Sequence, residues 1–114
     1  MTQCLFCRII KKEIPGRLVY EDGDIVAFED INPQAPVHIL VVPRKHIDSM
    51  MNLGQEDKEL MGSLFLVANG LAKTHNLNPS GFRTVINTGS GGGQTVYHLH
   101  VHLLGGRQMT WPPG

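Results

Sequence analysis

The chain is short of several things, and each shortage closes a route. Only two of its 114 residues are cysteines, Cys4 and Cys7. No disulfide framework is expected to staple the fold, and the thiols are expected to be reduced. No charge of one sign prevails, because ten basic residues balance ten acidic ones. Long nucleic acid and anionic membrane surfaces select basic proteins, so neither is expected as a main partner, whereas a local site for one small anion remains open. No apolar run, Ile39-Leu40-Val41-Val42 included, approaches the ~20 residues that cross a bilayer. Met1–Arg8 lacks a basic segment leading into a long apolar stretch, so no secretory signal is expected and the expected location is cytoplasmic.

What is present suits one globular domain spanning residues 1–114. Apolar residues make up 41% and charged residues 18%, enough for a core, and no repeat or low-complexity tract divides the chain. A short helix is expected over Leu5–Lys11, ended by Ile14-Pro15-Gly16. Leu18–Glu21 and Ile25–Glu29 flank Asp22-Gly23-Asp24, a hairpin signal. His38–Pro43 has the apolar, β-branched make-up of a central strand. Gln55–His75 keeps Leu60, Leu64, Val67, Ala68 and Leu71 on one helical face. Gly62 and Gly70 in that helix are explained equally by close approach to a sheet or by a solvent face. Phe82–Asn87 and Val96–Leu104 complete five strands. With one long and one short helix, mostly not alternating with the strands, this argues for an α+β antiparallel sheet.

The most informative segment is Tyr97-His98-Leu99-His100-Val101-His102-Leu103-Leu104. On a strand, His98, His100 and His102 share one face while Leu99, Val101 and Leu103 face a core. With only six histidines in the chain, a chance row on a polar face is improbable. A zinc pair completed by a third ligand is one reading. The other starts from Asn87–Thr95, a glycine-rich stretch whose backbone N–H groups can cradle phosphate oxygens. It lacks the Lys-Ser/Thr ending of a P-loop and precedes a strand. A neutral imidazole can attack phosphorus near pH 7, dividing one displacement into two. Loop amides and flanking histidines would meet the phosphoryl charge without a metal.

These residues resemble the histidine-triad (HIT) superfamily, and more closely its HINT branch. The likeness rests on the His-x-His-x-His row, on Ile31–His38, on Gly92-Gly93-Gln94, on Val96-Tyr97-His98 and on the ending Leu104–Gly114. It implies a HIT-like fold, with a five-stranded antiparallel sheet pairing into a ten-stranded homodimer. It implies hydrolysis of purine nucleoside 5′-phosphoramidates and of acyl or aminoacyl adenylates, releasing AMP or GMP through a covalent nucleotidyl-histidine. Carried over by position, His100 is the nucleophile, and His38, His98, His102 and Thr95 complete the catalytic group. Asn87, Gly93, Gln94, Thr95 and Val96 meet the phosphate or leaving group, and Asp30 the ribose. Leu5, Phe6, Ile9, Phe28, Ile31 and Leu40 line the base pocket, and Trp111 reaches the partner subunit's site.

Two departures stand out. Thr95 occupies a position where many HINT members carry serine. Cys4-Leu5-Phe6-Cys7 is absent from zinc-free HINT proteins and resembles HIT proteins in which two cysteines and two histidines hold structural zinc, here with His46 and His98. Buried thiols and a redox dithiol are the competing readings of the pair. No cofactor is expected for catalysis itself. Beside the enzyme stand two other expectations: a nucleotide-binding interaction module with little turnover, and a zinc-dependent hydrolase built on the three-histidine face.

Overall fold

In the computed structural model, which describes residues 4–114, the helix α1 covers Leu5–Ile10 and leads into the hairpin of β1 (Leu18–Glu21) and β2 (Ile25–Glu29). Residues 1–3, part of the stretch considered for a secretory signal, lie outside the described residues. Asp22 shapes the hairpin turn, its Oδ1 accepting from the backbone N–H of Asp24 and of Ile25 at 2.8 Å each. This is the local capture of backbone donors for which Asp is favoured in turns. β3 (Val37–Pro43), α2 (Lys58–Thr74), β4 (Phe82–Val85) and β5 (Val101–Gly105) follow. The five strands form one antiparallel sheet in the order β1-β2-β3-β5-β4. The α+β architecture expected from the sequence is the one observed.

The pleat separates two functions. One face carries Ile25, Ala27, Ile39, Val41, Val101 and Leu103, all at most 1% exposed, and packs on Leu64, Ala68, Leu71 and Ala72 of α2. The other carries Val26, Phe28, Leu40 and Val42 and is covered by Phe6 of α1. The cross-strand pairs Phe28↔Leu40 and Leu40↔His102 place the last of the three histidines on this second face. A six-residue helix is too short to persist alone, so α1 depends on what it packs against.

Three boundaries differ from expectation by more than one residue. The long helix opens with a 3-10 turn over Gln55–Asp57 before α2 proper, and Asp57 Oδ2 accepts from the Gly54 N–H at 2.9 Å. β4 stops two residues early, at Val85. The larger correction concerns Val96–Leu104, of which only the part from Val101 is strand. The β3–β5 register pairs Val41 with Val101, which would set Leu99 opposite Pro43. Proline has no N–H to continue a ladder. Leu99 instead donates to the Ile47 carbonyl at 2.7 Å, and residues 96–100 leave the strand path. Gly62 and Gly70 are exposed, and a Cβ at either would meet nothing within 4 Å, so the solvent-face reading applies.

Leu64, 0% exposed at the middle of α2, packs on the face away from the histidines. Leu64→Ala is expected to cost about 2–5 kcal/mol through the cavity it leaves. Urea denaturation checks the value.

Candidate active site

On the α1 side of the sheet lies a cleft of about 280 Å³. Its apolar wall is made by Leu5, Phe6, Ile9, Phe28, Ile31 and Leu40, and its polar end by Asp30, Asn87, Gly93, Thr95, His100 and His102. Val96 also faces it, so most of the nucleotide-contact residues expected from the sequence meet in one place. Pro15, Gly16 and Glu29 complete the lining and were not anticipated. Pro15-Gly16 reads in sequence only as a helix stop, but the turn folds back so tightly that a Cβ on Gly16 would lie 2.6 Å from Ile9 Cγ2. The glycine-rich stretch forms a 3-10 turn over Ser90–Gly92 bracketed by Gly89 (φ 72°) and Gly93 (φ 88°). Both angles lie in the left-handed region that glycine occupies without strain.

The histidines do not act as one row. His98 is 0% exposed and its ring leaves the cleft, with Nε2–H donating to the Pro43 carbonyl at 2.7 Å. Its place beside the other two is taken by His38 from β3, whose ring centroid lies 5.1 Å from that of His102, itself 4.9 Å from that of His100. What His98 gives the cleft is its carbonyl, 2.7 Å from His100 Nδ1. Gln94, expected at the phosphate, does not line the cleft, and Trp111, expected at a partner subunit's site, does not line this chain's own cleft either. The Gln94 amide is engaged by backbone: Oε1 accepts from Gly89 N–H, and Nε2 donates to the Asp48 and Val96 carbonyls. It shapes the glycine loop from behind. Trp111 is 81% exposed on this chain.

Each ring's proton is assigned from its partners, because a carbonyl can only accept and an amide N–H can only donate. His100 must carry its proton on Nδ1 to meet the His98 carbonyl, which leaves the Nε2 lone pair available as a nucleophile. His38 accepts from the Gln34 N–H at Nδ1 (3.0 Å), so its proton sits on Nε2. That Nε2–H faces His102 Nδ1 at 2.9 Å and Asp30 Oδ2 at 3.4 Å. His102 therefore carries its proton on Nε2, a buried donor lacking a hydrogen-bond partner among the described residues, on a ring that lines the cleft. A buried donor without a partner calls for an acceptor from outside. The cleft thus presents one lone pair and one N–H from adjacent rings.

Burial keeps these rings neutral. It pushes His102 down to about 4, with His100 and His38 adding to the effect, and it lowers His38 and His100 as well.

A second cluster lies behind Phe6. Cys4 Sγ and Cys7 Sγ are 3.3 and 3.5 Å from His98 Nδ1, and Cys7 Sγ is 3.4 Å from His46 Nδ1. All four ligand atoms lie within 4.8 Å of one another. Thiolate and imidazole donors ~2.3 and ~2.05 Å from a tetrahedral ion sit about 3.5 Å apart, so the spacing is compatible with structural zinc. The protons agree, since His98 spends Nε2–H on Pro43 and His46 spends its own on Asp48 Oδ1 at 2.6 Å. Both Nδ1 lone pairs then face the sulfurs. Outer partners of this kind orient metal-binding histidines. Asp30, His38 and His102 also group closely, but the Gln34 N–H keeps a proton on His38 Nε2, the atom that would have to ligate.

The HIT domain model matches residues 11–109. The chain belongs to the HIT domain family. It is 53% identical over 113 residues to the 14 kDa zinc-binding protein of Zea mays, covering 96% of this chain and 87% of that one. Its fold is similar to that of a HIT family hydrolase from Legionella pneumophila Philadelphia 1, with 53% identity, a TM-score of 0.97 and coverage of 98% and 100%. A histidine triad nucleotide-binding protein from Candida albicans superposes with a TM-score of 0.83 at 30% identity, covering 96% and 83%. Among the described residues of this HIT domain no helix is long and apolar enough to cross a membrane.

Because the folded imidazoles of His102 and His38 sit below the ~6.5 of an unfolded chain, the unfolded state binds more protons as the pH drops from about 6.5 toward 4. Their contribution to stability is expected to be complete above pH 6.5 and to be lost on acidification through that window. Urea denaturation at pH 7, 5.5 and 4.5 tests this sign, and imidazole NMR should find His102 still neutral at pH 6.

Proposed function

We propose that this HIT protein is a HINT-like hydrolase of purine nucleoside 5′-phosphoramidates and of acyl or aminoacyl adenylates, working through a nucleotidyl-His100 intermediate. The observation that carries the reading is the pairing in the cleft of the His100 Nε2 lone pair with the His102 Nε2–H, which has no hydrogen-bond partner among the described residues. The apolar wall takes the base, with adenine and guanine weakly distinguished, and Asp30 takes the ribose hydroxyls. The Gly93–Val96 segment and His102 meet the phosphoryl oxygens.

His100 Nε2 attacks the α-phosphorus, a P–Nε2 bond forms, and the P–N bond to the leaving amine breaks as the amine takes a proton from solvent beside the Thr95 hydroxyl. In an acyl adenylate the P–O bond breaks instead and the carboxylate leaves. The attacking ring gains positive charge, which the His98 carbonyl stabilises through Nδ1–H. Electrostatic stabilisation of this preset kind is worth most where charge develops in the transition state. Water then attacks the same phosphorus, the P–Nε2 bond breaks, AMP or GMP leaves, the water's proton passes to solvent, and His100 returns to its Nδ1–H form. The three-histidine metal face considered as an alternative has no geometric support, because the His98 ring points elsewhere.

Trp111 finds a role if two chains pair into the ten-stranded homodimer, where it would reach the partner's cleft. The Cys4–Cys7–His46–His98 cluster is proposed to hold one structural zinc, which supplies cross-linking of α1 to the sheet and takes no part in hydrolysis.

Two expected outcomes test these assignments. Acid quenching of a reaction with adenosine phosphoramidate should leave an AMP adduct on the Tyr97–Leu104 peptide. His100→Ala should lose the adduct and at least about 10³-fold in turnover while still binding AMP. Wild-type turnover in that variant would refute the mechanism, and AMP binding by the parent chain without turnover would favour the interaction module. Separately, Cys7→Ala should abolish zinc retention in metal analysis and lower the melting temperature, and a variant that retains stoichiometric zinc would rule out the four-ligand site.

A further inference from the structure

We propose that the Cys4/Cys7/His46/His98 centre, once it holds zinc, sets the nucleotide affinity of the cleft, so that metal and nucleotide binding are thermodynamically coupled. The inference rests on the cleft being the nucleotide site.

Three links join the two sites, each starting at a residue of the cluster and ending at a residue of the cleft. The first is covalent. The two thiolates bracket Leu5 and Phe6, both of which line the apolar wall. Cys4 Sγ also accepts from the Cys7 N–H at 3.3 Å and so caps the six-residue helix. Phe6 is 4% exposed and stands edge-on to His98 at 6.0 Å, to His100 at 5.0 Å and to Phe28 at 5.2 Å between centroids. Fixing the sulfurs therefore fixes the ring that separates the metal centre from the nucleophile. The second link is His98, whose Nδ1 faces the sulfurs while its carbonyl holds Nδ1–H of His100. Any turn of the His98 backbone that follows from metal capture is felt at His100.

The third link runs through His46. Its Nε2–H is held by Asp48 Oδ1 at 2.6 Å, and the Asp48 carbonyl accepts from Gln94 Nε2 at 2.7 Å. Gln94 Oε1 in turn accepts from Gly89 N–H at the start of the glycine turn, whose far side gives Gly93, Thr95 and Val96 to the cleft. Base wall, nucleophile and phosphate loop are thus each one to three contacts from a residue of the cluster. A helix of six residues does not hold its own position, so ordering it before the nucleotide arrives removes an ordering cost from binding. Coupling of this kind is reciprocal: if zinc tightens AMP by some factor, AMP tightens zinc by the same factor.

The test uses the full-length chain. Zinc affinity is measured by competition against a chromophoric chelator with and without saturating AMP, corrected by a blank of AMP, zinc and chelator. AMP affinity is measured calorimetrically on zinc-loaded and zinc-stripped protein, with circular dichroism following the fold. The expected result is a change of about tenfold in both, of equal size. Where stripping unfolds the chain, the decision passes to the cobalt-substituted protein. AMP is then expected to shift its ligand-field absorption, which reports the ligand atoms in the folded, loaded state. AMP binding with zinc affinity unchanged, or with the cobalt spectrum unmoved in that second case, overturns the coupling and leaves the proposed function standing. A chain that retains no zinc does the same. A loaded chain that does not bind AMP overturns both.

Discussion

Pro43 ends the β3–β5 ladder, and the arrangement of the site follows from that one missing amide hydrogen. Had the ladder continued, His98, His100 and His102 would stand in a flat row and their rings would compete for one surface. With no N–H at Pro43 to pair, the chain before Val101 bends off, Leu99 bonds to Ile47, and the Pro43 carbonyl is left for the His98 ring. The first histidine is thereby committed to the cysteine cluster and the remaining two to the cleft. One sequence motif serves two sites because a proline on a neighbouring strand interrupts it.

The chemistry of each ring is then decided by the atom that holds its other nitrogen. A carbonyl behind His100 frees its Nε2 lone pair, and an amide behind His38 passes a proton forward so that His102 offers an N–H. Carbonyl and carboxylate behind His98 and His46 turn two lone pairs toward sulfur. Under the proposed function, four histidines of similar intrinsic basicity would thus serve as a nucleophile, a phosphate donor and two soft-metal ligands, with no difference in residue type. At His98, His100 and His102 burial reinforces the assignment by keeping the rings uncharged near neutral pH.

How much of this was legible beforehand depends on the range of the interaction. The hairpin at Asp22-Gly23-Asp24, the amphipathic stretch of Leu64 and Leu71, and the apolar strand ending at Pro43 are local patterns, and they matched the structure to within a few residues. The resemblance carried by Ile31–His38 and the C-terminal stretch brought Asp30, Asn87, Thr95 and His100 to one cleft. What stayed hidden was non-local. Nothing near Val96 signals that the facing residue across β3 lacks an amide hydrogen, and nothing in Gln94 announces that its amide is already shared among Gly89, Asp48 and Val96. Asp48 matters through its carboxylate on His46 and its carbonyl on Gln94, and Gln34 through its N–H on His38, and no spacing rule reveals such contacts.

The two faces of the sheet also divide stability from chemistry. The α2 face buries a large apolar cluster under seventeen helical residues, whereas the opposite face has a small cluster capped by six. A surface that must open for a ligand cannot be sealed as tightly as the core, and segments that admit ligands come from the less stable parts of a fold. Here the weak cover is α1, and its weakness is what makes an external clamp useful. Cys4 and Cys7 sit at its first turn, His46 and His98 come from β3's exit and β5's approach, and the cleft opens on the other side of Phe6. A long helix on that side could have stood without a metal, but it would also have covered His100 and closed the route by which a phosphate reaches the ring.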